Sequence, residues 1–260
     1  MEPHRGLRDL LELVRTGVTS TKEAEREIRN LGAGHVGSFA TLDLGRTERC
    51  GIPEVILAEG KDPEHLSAIA EEYAKRAGRC VITRLDQQTA LPLQEIATRL
   101  GIASEYNKSA RVMVLAGCPP REQTGGIIGI ITAGTSDIRV AEEARIIAEE
   151  MGCRVKTAYD VGVAGIHRLF PVLKEMADCH ALVVAAGREG TLPAVVAGLM
   201  DRPVIGVPVS TGYGYMGNGE AALASMLQSC SVLTVVNIDA GFVAGAFAAR
   251  IAVLIAGEGS

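Results

Sequence analysis

From Ile127 onward the chain alternates strand-like runs with helical segments, five times over. Ile127–Ile131 leads to a helix at Ile138–Met151, Arg154–Ala158 to one at Ile166–Met176, and Ala181–Ala186 to one at Leu192–Met200. Val204–Val209 then leads to Glu220–Leu227, and Leu233–Ile238 to Phe242–Leu254. Continuous apolar strands are buried on both faces, and a helical crossover after each one makes the sheet parallel. Residues 127–260 are therefore predicted to form a three-layer α/β/α unit around a parallel sheet. Ligands of such sheets sit beyond the carboxyl ends of the strands, so the turns after each strand are where chemistry is sought.

The first half reads differently. Helices are expected at Leu7–Arg15 and Ser20–Leu31, and strands at Phe39–Leu44 and Glu54–Ala58. Asp62 caps a helix with Pro63 at its first position. A strand at Cys80–Leu85, a helix at Leu91–Leu100 ended by Gly101, and a strand at Val112–Leu115 follow. This makes residues 1–117 a smaller α+β domain. Cys118–Gly126 (CPPREQTGG) breaks all periodicity and reads as a linker, leaving 127–260 as the main α/β domain.

Composition excludes several classes. With 260 residues and 47% hydrophobic content the chain can bury a large core. A net charge of −5 argues against nucleic acid and anionic membrane as partners. With no Trp and 3% aromatics there is no base-stacking platform. The apolar stretch Phe242–Ala256 is interrupted by Gly245 and Arg250, which suits a core helix rather than a membrane span. The N-terminus carries no signal-peptide pattern, and a cytoplasmic location is expected. Six isolated cysteines, none in CxxC spacing, form neither a zinc site nor a disulfide framework.

Candidate chemistry lies in the turns. In TAGTSD (Thr132–Asp137), the hydroxyls of Thr135 and Ser136 and the following helix N-terminus offer a phosphate site. Asp137 could bind ribose or accept a proton; a plain helix cap explains the same residues. His167 and Arg168 fall at an expected helix start, where they could move a proton or grip an anion, or form an ordinary surface pair. Glu189 stands in a turn flanked by Gly187 and Gly190, placed to bind a metal or orient water, or only to favour a helix dipole. The loop of Ser210, Gly212, Tyr213 and Tyr215 could cover a ligand or simply link two elements. It matches neither GxGxxG nor GxxxxGK[ST]. Asp239 lies at the same edge as a ligand group or a cap. Cys230, between a helix end and a strand, has no lead over the other cysteines.

These segments together resemble the LarB family of nickel-pincer nucleotide cofactor synthesis. The matching pieces are TAGTSD with Ala141–Ala144 (AEEA), Asp160–Phe170 (DVGVAGIHRLF), Pro203–Gly214 (PVIGVPVSTGYG), Met226–Cys230 (MLQSC) and Val235–Phe242 (VVNIDAGF). Leu42–Lys61 and Ile82–Leu85 (ITRL) extend the match into the first half. The second half also resembles PurE-type aminoimidazole ribonucleotide carboxylases, which implies a PurE- and flavodoxin-like fold. Arg139 stands where members often have proline, and Ala240 departs from the usual NIDNGF.

The resemblance implies carboxylation of nicotinic acid adenine dinucleotide by carbon dioxide, with bicarbonate as its source, and hydrolysis of the phosphoanhydride. Pyridinium-3,5-biscarboxylic acid mononucleotide and AMP are the products. It makes Cys230 the nucleophile that adds transiently to the ring, with Asp137, His167 and Glu189 in catalysis. Thr135, Ser136, Arg168, Gly187, Ser210, Gly212 and Asp239 are then expected at the substrate. Mg²⁺ is the expected ion, no tightly bound organic cofactor is expected, and the assembly is expected to be a homo-octamer. A PurE-like carboxylase or mutase of aminoimidazole ribonucleotide, and a non-enzymatic nucleotide-binding module, stand as alternatives.

Overall fold

The computed structural model describes residues 7–25, 34–212 and 214–258. Of the expected helix Ser20–Leu31, residues 21–25 are helical; its remainder lies outside the described residues, as does Tyr213. The chain divides into two compact units, residues 1–106 with 113–119 and residues 107–112 with 120–260.

The first unit holds a small antiparallel pair, β1 (Gly34–Val36) with β2 (Ala40–Leu42), and a four-stranded mixed sheet. That sheet runs in the order β3 (Val55–Leu57), β4 (Arg79–Thr83), β6 (Val112–Ala116), β5 (Ala103–Asn107). β3 and β4 are parallel, joined by the helix Pro63–Ala77, while β6 runs antiparallel to β4. Asp62 caps that helix, its carboxylate accepting from the N–H groups of Glu64 and His65 at 2.9 and 3.3 Å. Leu66, Ile69, Tyr73, Leu93 and Ile96 pack onto Ile82, Met113 and Leu115 to form the core. Each such side chain, fully buried, contributes roughly 1.5–3 kcal/mol.

One expectation in this unit needs correction. The second long helix starts at Gln87 rather than Leu91, because Asp86 caps it by accepting from the Thr89 N–H at 2.8 Å. Pro92 sits inside it. The short strands β1 and β5 and the five-residue helix Arg46–Cys50 carry too little hydrophobic pattern to be read from sequence.

The second unit is the expected α/β/α layer structure. Its five parallel strands are β7 (Ile127–Thr132), β8 (Arg154–Ala158), β9 (Ala181–Ala186), β10 (Val204–Pro208) and β11 (Thr234–Val235). Their order is β11-β10-β9-β7-β8. Read from the β8 edge this is the 2-1-3-4-5 order of flavodoxin-like sheets, and the connections change direction between β7 and β9. The helices Ile138–Glu150 and Gly241–Glu258 cover one face. Leu169–Glu175, Leu192–Leu199 and Glu220–Leu227 cover the other, where Leu169, Leu173, Val196 and Met226 pack on Leu182 and Val184. Among the described residues no helix is long and apolar enough to cross a membrane.

The last strand is shorter than the expected Leu233–Ile238. Only Thr234 and Val235 pair with β10, and the chain then turns toward Asp239, whose backbone is left-handed at φ 55°. The expected helix Ile166–Met176 begins only at Leu169, after a tight 3₁₀ stretch Val163–Arg168 broken by the non-helical backbone of Gly165.

The two helices on the first face touch at backbone distance. A β-carbon at Gly245 would lie 2.4 Å from the Ala144 carbonyl oxygen and 2.8 Å from its Cα. A methyl group there must push the helices apart, so Gly245→Ala should cost about 3 kcal/mol of stability. Urea denaturation of the variant beside the parent measures it; an unchanged midpoint would disprove the close contact.

Candidate active site

The carboxyl ends of β7, β8, β9 and β10 open into a cleft of about 220 Å³ at the switch point. Gly134, Ser136 and Asp137 form its β7 wall, Gly162–Ala164 its β8 wall, Gly187–Glu189 with Thr191 and Leu192 its β9 wall, and Thr211 and Gly212 its β10 wall. The walls meet closely. A β-carbon at Gly212 would stand 2.7 Å from the Arg188 nitrogen, so glycine is required for the two turns to touch. Asp160, Arg188, Met216, Asn218 and Asp239, all with positive φ, sit in the turns at this edge. Such backbones cost about 1 kcal/mol or more each and persist where surrounding contacts fix them, typically at functional sites.

Asp137 is the buried group of the cleft, 3% exposed. One carboxylate oxygen accepts from the Gly134 N–H at 2.8 Å. Burial pushes its carboxyl above the ordinary aspartate range; the N–H groups of Gly134 and Gly187 and the Ser136 hydroxyl work against that rise. A carboxyl tuned upward in a cleft is the arrangement a general base near neutral pH requires. Ser136 and Thr135 lie exposed on the turn before the helix Ile138–Glu150, where its free N–H groups can meet an anion.

Behind the β10 wall, Asp239 is held on both oxygens. It accepts from the Ser210 N–H at 3.0 Å and the Ser210 hydroxyl at 2.5 Å, and from the Arg139 guanidinium at 2.9 Å. Burial opposes its ionisation, but the Ser210 donors and then Arg139 hold it below the ordinary range. Ser210 and Asp239 thus stand behind the cleft surface, each engaged with the other, rather than in it.

A family model described as the LarB/PurE-like N-terminal domain matches residues 34–117, and one for AIR carboxylase matches residues 127–258. The chain is 41% identical to uncharacterised protein MJ0165 of Methanocaldococcus jannaschii over 252 residues, 95% of this chain and 97% of that one. The chain belongs to the LarB family, with a PurE-like second domain. It is also 34% identical to N5-carboxyaminoimidazole ribonucleotide mutase of the same organism over 120 residues, 44% of this chain and 71% of that protein. A crystal structure of Treponema denticola PurE superposes with a TM-score of 0.41 at 19% identity, over 52% of this chain and 88% of the other.

The remaining site residues expected of a LarB-family chain fall in three places. Glu189 lines the mouth of the cleft, exposed, with Arg188 at 3.9 Å. His167 and Arg168 lie exposed on the 3₁₀ stretch beside the β8 wall, and Arg168 is turned to Asp160 at 2.9 Å. Cys230 is not brought to the cleft. It follows the C-terminus of the helix Glu220–Leu227 and precedes β11, which places it at the amino edge of the sheet. Its neighbour Ser231 has its hydroxyl 3.7 Å from where a Gly198 β-carbon would be, in the last turn of Leu192–Leu199. That helix begins at the cleft, and its seven residue steps span roughly 10 Å. Sequence reasoning overlooked the contact made by Arg139, because its partner lies 100 residues further along the chain and nothing local signals the pair.

Proposed function

We propose that this LarB-family chain carboxylates the pyridinium ring of nicotinic acid adenine dinucleotide with carbon dioxide. It then hydrolyses the phosphoanhydride to release pyridinium-3,5-biscarboxylic acid mononucleotide and AMP. The observation that carries this reading is the union of a LarB/PurE-like N-terminal domain with an AIR carboxylase domain in one chain. The mutase relative named above aligns to less than half of it.

A pyridinium carbon is electron-poor and does not attack carbon dioxide. Thiolate addition to the ring gives a neutral dihydropyridine whose enamine carbon does. A base then removes the proton from the carboxylated carbon, and expulsion of the thiolate restores aromaticity. Asp137 is the base in this reading, since its buried carboxyl is tuned upward at the cleft floor. Ser136, Thr135 and the helix N-terminus take a phosphate, and Glu189 orients water at the mouth. Among the described residues no three His, Cys, Asp or Glu side chains cluster into a cage for Mg²⁺. The ion would be shared between Glu189 and the substrate phosphates, whose charge it would neutralise. The electrons come from the thiolate, and the reading assigns no organic cofactor.

Cys230 is the nucleophile of this reading and comes from a second copy of the chain. Its own cleft lies across the sheet, and a cleft of about 220 Å³ is below the roughly 300–1,000 Å³ usual for small-molecule sites. Exposed apolar side chains flank both edges. Leu199, Leu227 and Val232 (95% exposed) flank Cys230, while Ile166, Phe170, Met216 and Tyr215 (96% exposed) flank the cleft. Apolar surface of this kind marks an interaction site, and a head-to-tail contact repeated around a ring would cover both edges.

Mass spectrometry of the nucleotide product with isotope-labelled bicarbonate tests the reaction. One label on the nicotinate ring, released with equimolar AMP, is the expected result. Label on aminoimidazole ribonucleotide instead would support the mutase-like alternative, and tight binding without turnover a non-enzymatic module.

A further inference from the structure

Arg139 stands in the first turn of the helix Ile138–Glu150, two residues after Asp137. Its guanidinium crosses to Asp239, in the turn after β11, at 2.9 Å. Both partners are half-buried, with side chains 32% and 18% exposed. Asp239 passes the constraint on: its N–H donates to the Pro208 carbonyl at 2.9 Å, and its carboxylate holds the Ser210 N–H and hydroxyl. Ser210 is followed directly by Thr211 and Gly212, the β10 wall of the cleft. That wall in turn abuts the β9 turn, where a β-carbon at Gly187 would lie 3.4 Å from the Gly212 nitrogen and 3.3 Å from the Asp137 carboxylate.

The path closes on itself. It leaves the helix that carries Asp137, runs through the β11 turn to the β10 wall, and returns through the β9 turn to Asp137. We infer that Arg139 is a positioning residue for the reaction at this cleft: it holds Asp239, and through Asp239 it fixes the Ser210–Gly212 wall relative to Asp137. The inference rests on the cleft being the active site. A guanidinium suits the task because its planar fork keeps a fixed direction, and a charge-assisted pair with little solvent is stronger than an exposed one. Asp239 adopts φ 55°, a conformation that aspartate tolerates but that must be held in place. Without Arg139, the Asp239 carboxylate loses its guanidinium partner, and the turn loses this tie to the helix.

The test uses the full-length chain with Arg139→Met, Arg139→Lys, Asp239→Asn and the Arg139→Met/Asp239→Asn pair. Two readouts are taken: amide hydrogen exchange of the peptide covering 209–214, and kcat and KM for nicotinic acid adenine dinucleotide. Arg139→Met should speed exchange in that peptide at unchanged melting temperature and raise KM about tenfold, with kcat altered less. Arg139→Lys should recover most of the KM, and the double variant should be no worse than the poorer single one. Unchanged exchange in Arg139→Met, additive effects in the pair, or KM losses that follow melting temperature would each overturn the inference. Should the parent protein make no carboxylated product, the proposed reaction fails, and the exchange readout then decides the positioning role alone.

Discussion

Asp137→Asn should lower the rate of ring carboxylation by about a thousandfold while leaving nucleotide binding largely intact. The reasoning starts from solvation. A carboxylate taken almost wholly out of water loses its hydration, so its acid form is favoured, and the Asp137 carboxyl lies above the usual range. The N–H groups of Gly134 and Gly187 and the Ser136 hydroxyl moderate that rise without cancelling it. The result is a stronger base than a solvated aspartate. An amide in its place keeps the shape but cannot take a proton. Since a base works only when ionised, activity is present above the native pKa and is lost as pH falls through it. The acid limb of kcat should therefore lie above the ordinary aspartate value, 3.8. The same shift has an opposite sign for stability. A carboxyl whose pKa is raised by folding favours the native state most below its unfolded pKa, and that contribution is lost as pH rises through the native pKa. A kcat profile with no limb above the ordinary carboxylate range, or a variant that retains wild-type kcat, would remove Asp137 from the role of base.

Much of the second unit was readable because its strands are uniformly apolar. Ala181–Ala186 and Val204–Pro208 are buried at every position, as a doubly covered parallel strand must be, so their place inside the sheet follows from composition alone. Arg154–Ala158 and Thr234–Val235 are edge strands, and the latter was over-read by several residues because an edge offers pairing on one side only. His167 and Arg168 were placed at the start of an α-helix, whereas they lie in a 3₁₀ stretch and the α-helix begins after them at Leu169. The turns that carry Asp137, Gly187, Glu189 and Gly212 were expected to converge beyond the strand ends, and these residues line the cleft there. Asp239 was expected at this edge, but its pairing with Arg139 escaped, because a contact spanning 100 residues depends on how a helix packs against a distant turn, which no local pattern encodes. The edge occupied by Cys230 was legible in principle. A segment that leaves a helix and enters a parallel strand opens at the amino edge, the side away from the ligand.

That placement makes the second large prediction. Cys230→Ala and Asp137→Asn should each lower product formation about a thousandfold or more alone, yet co-expressed in one cell they should recover about a quarter of wild-type activity, because random assortment pairs an intact cleft with an intact cysteine at one site in four. The argument is geometric. Cys230 stands past the far end of Leu192–Leu199, and the sheet itself lies between its sulfur and the cleft in the same chain. Moving it around would require unpairing β11 from β10 and unpacking Met226, which is 2% exposed against the core. Losing a buried Met contact of that kind costs about 2–5 kcal/mol before any chemistry begins. A second copy offering its amino edge to the cleft mouth incurs no such cost and covers Val232 and Tyr215, which a lone chain leaves in water. Activity of the co-expressed pair, measured as labelled nucleotide per copy after tandem-tag purification, separates the two cases. Recovery near a quarter assigns the cysteine to a neighbouring copy. No recovery, with mixed assemblies confirmed by mass, would mean that each chain supplies its own thiol, and wild-type activity of Cys230→Ala alone would mean that Cys230 takes no part.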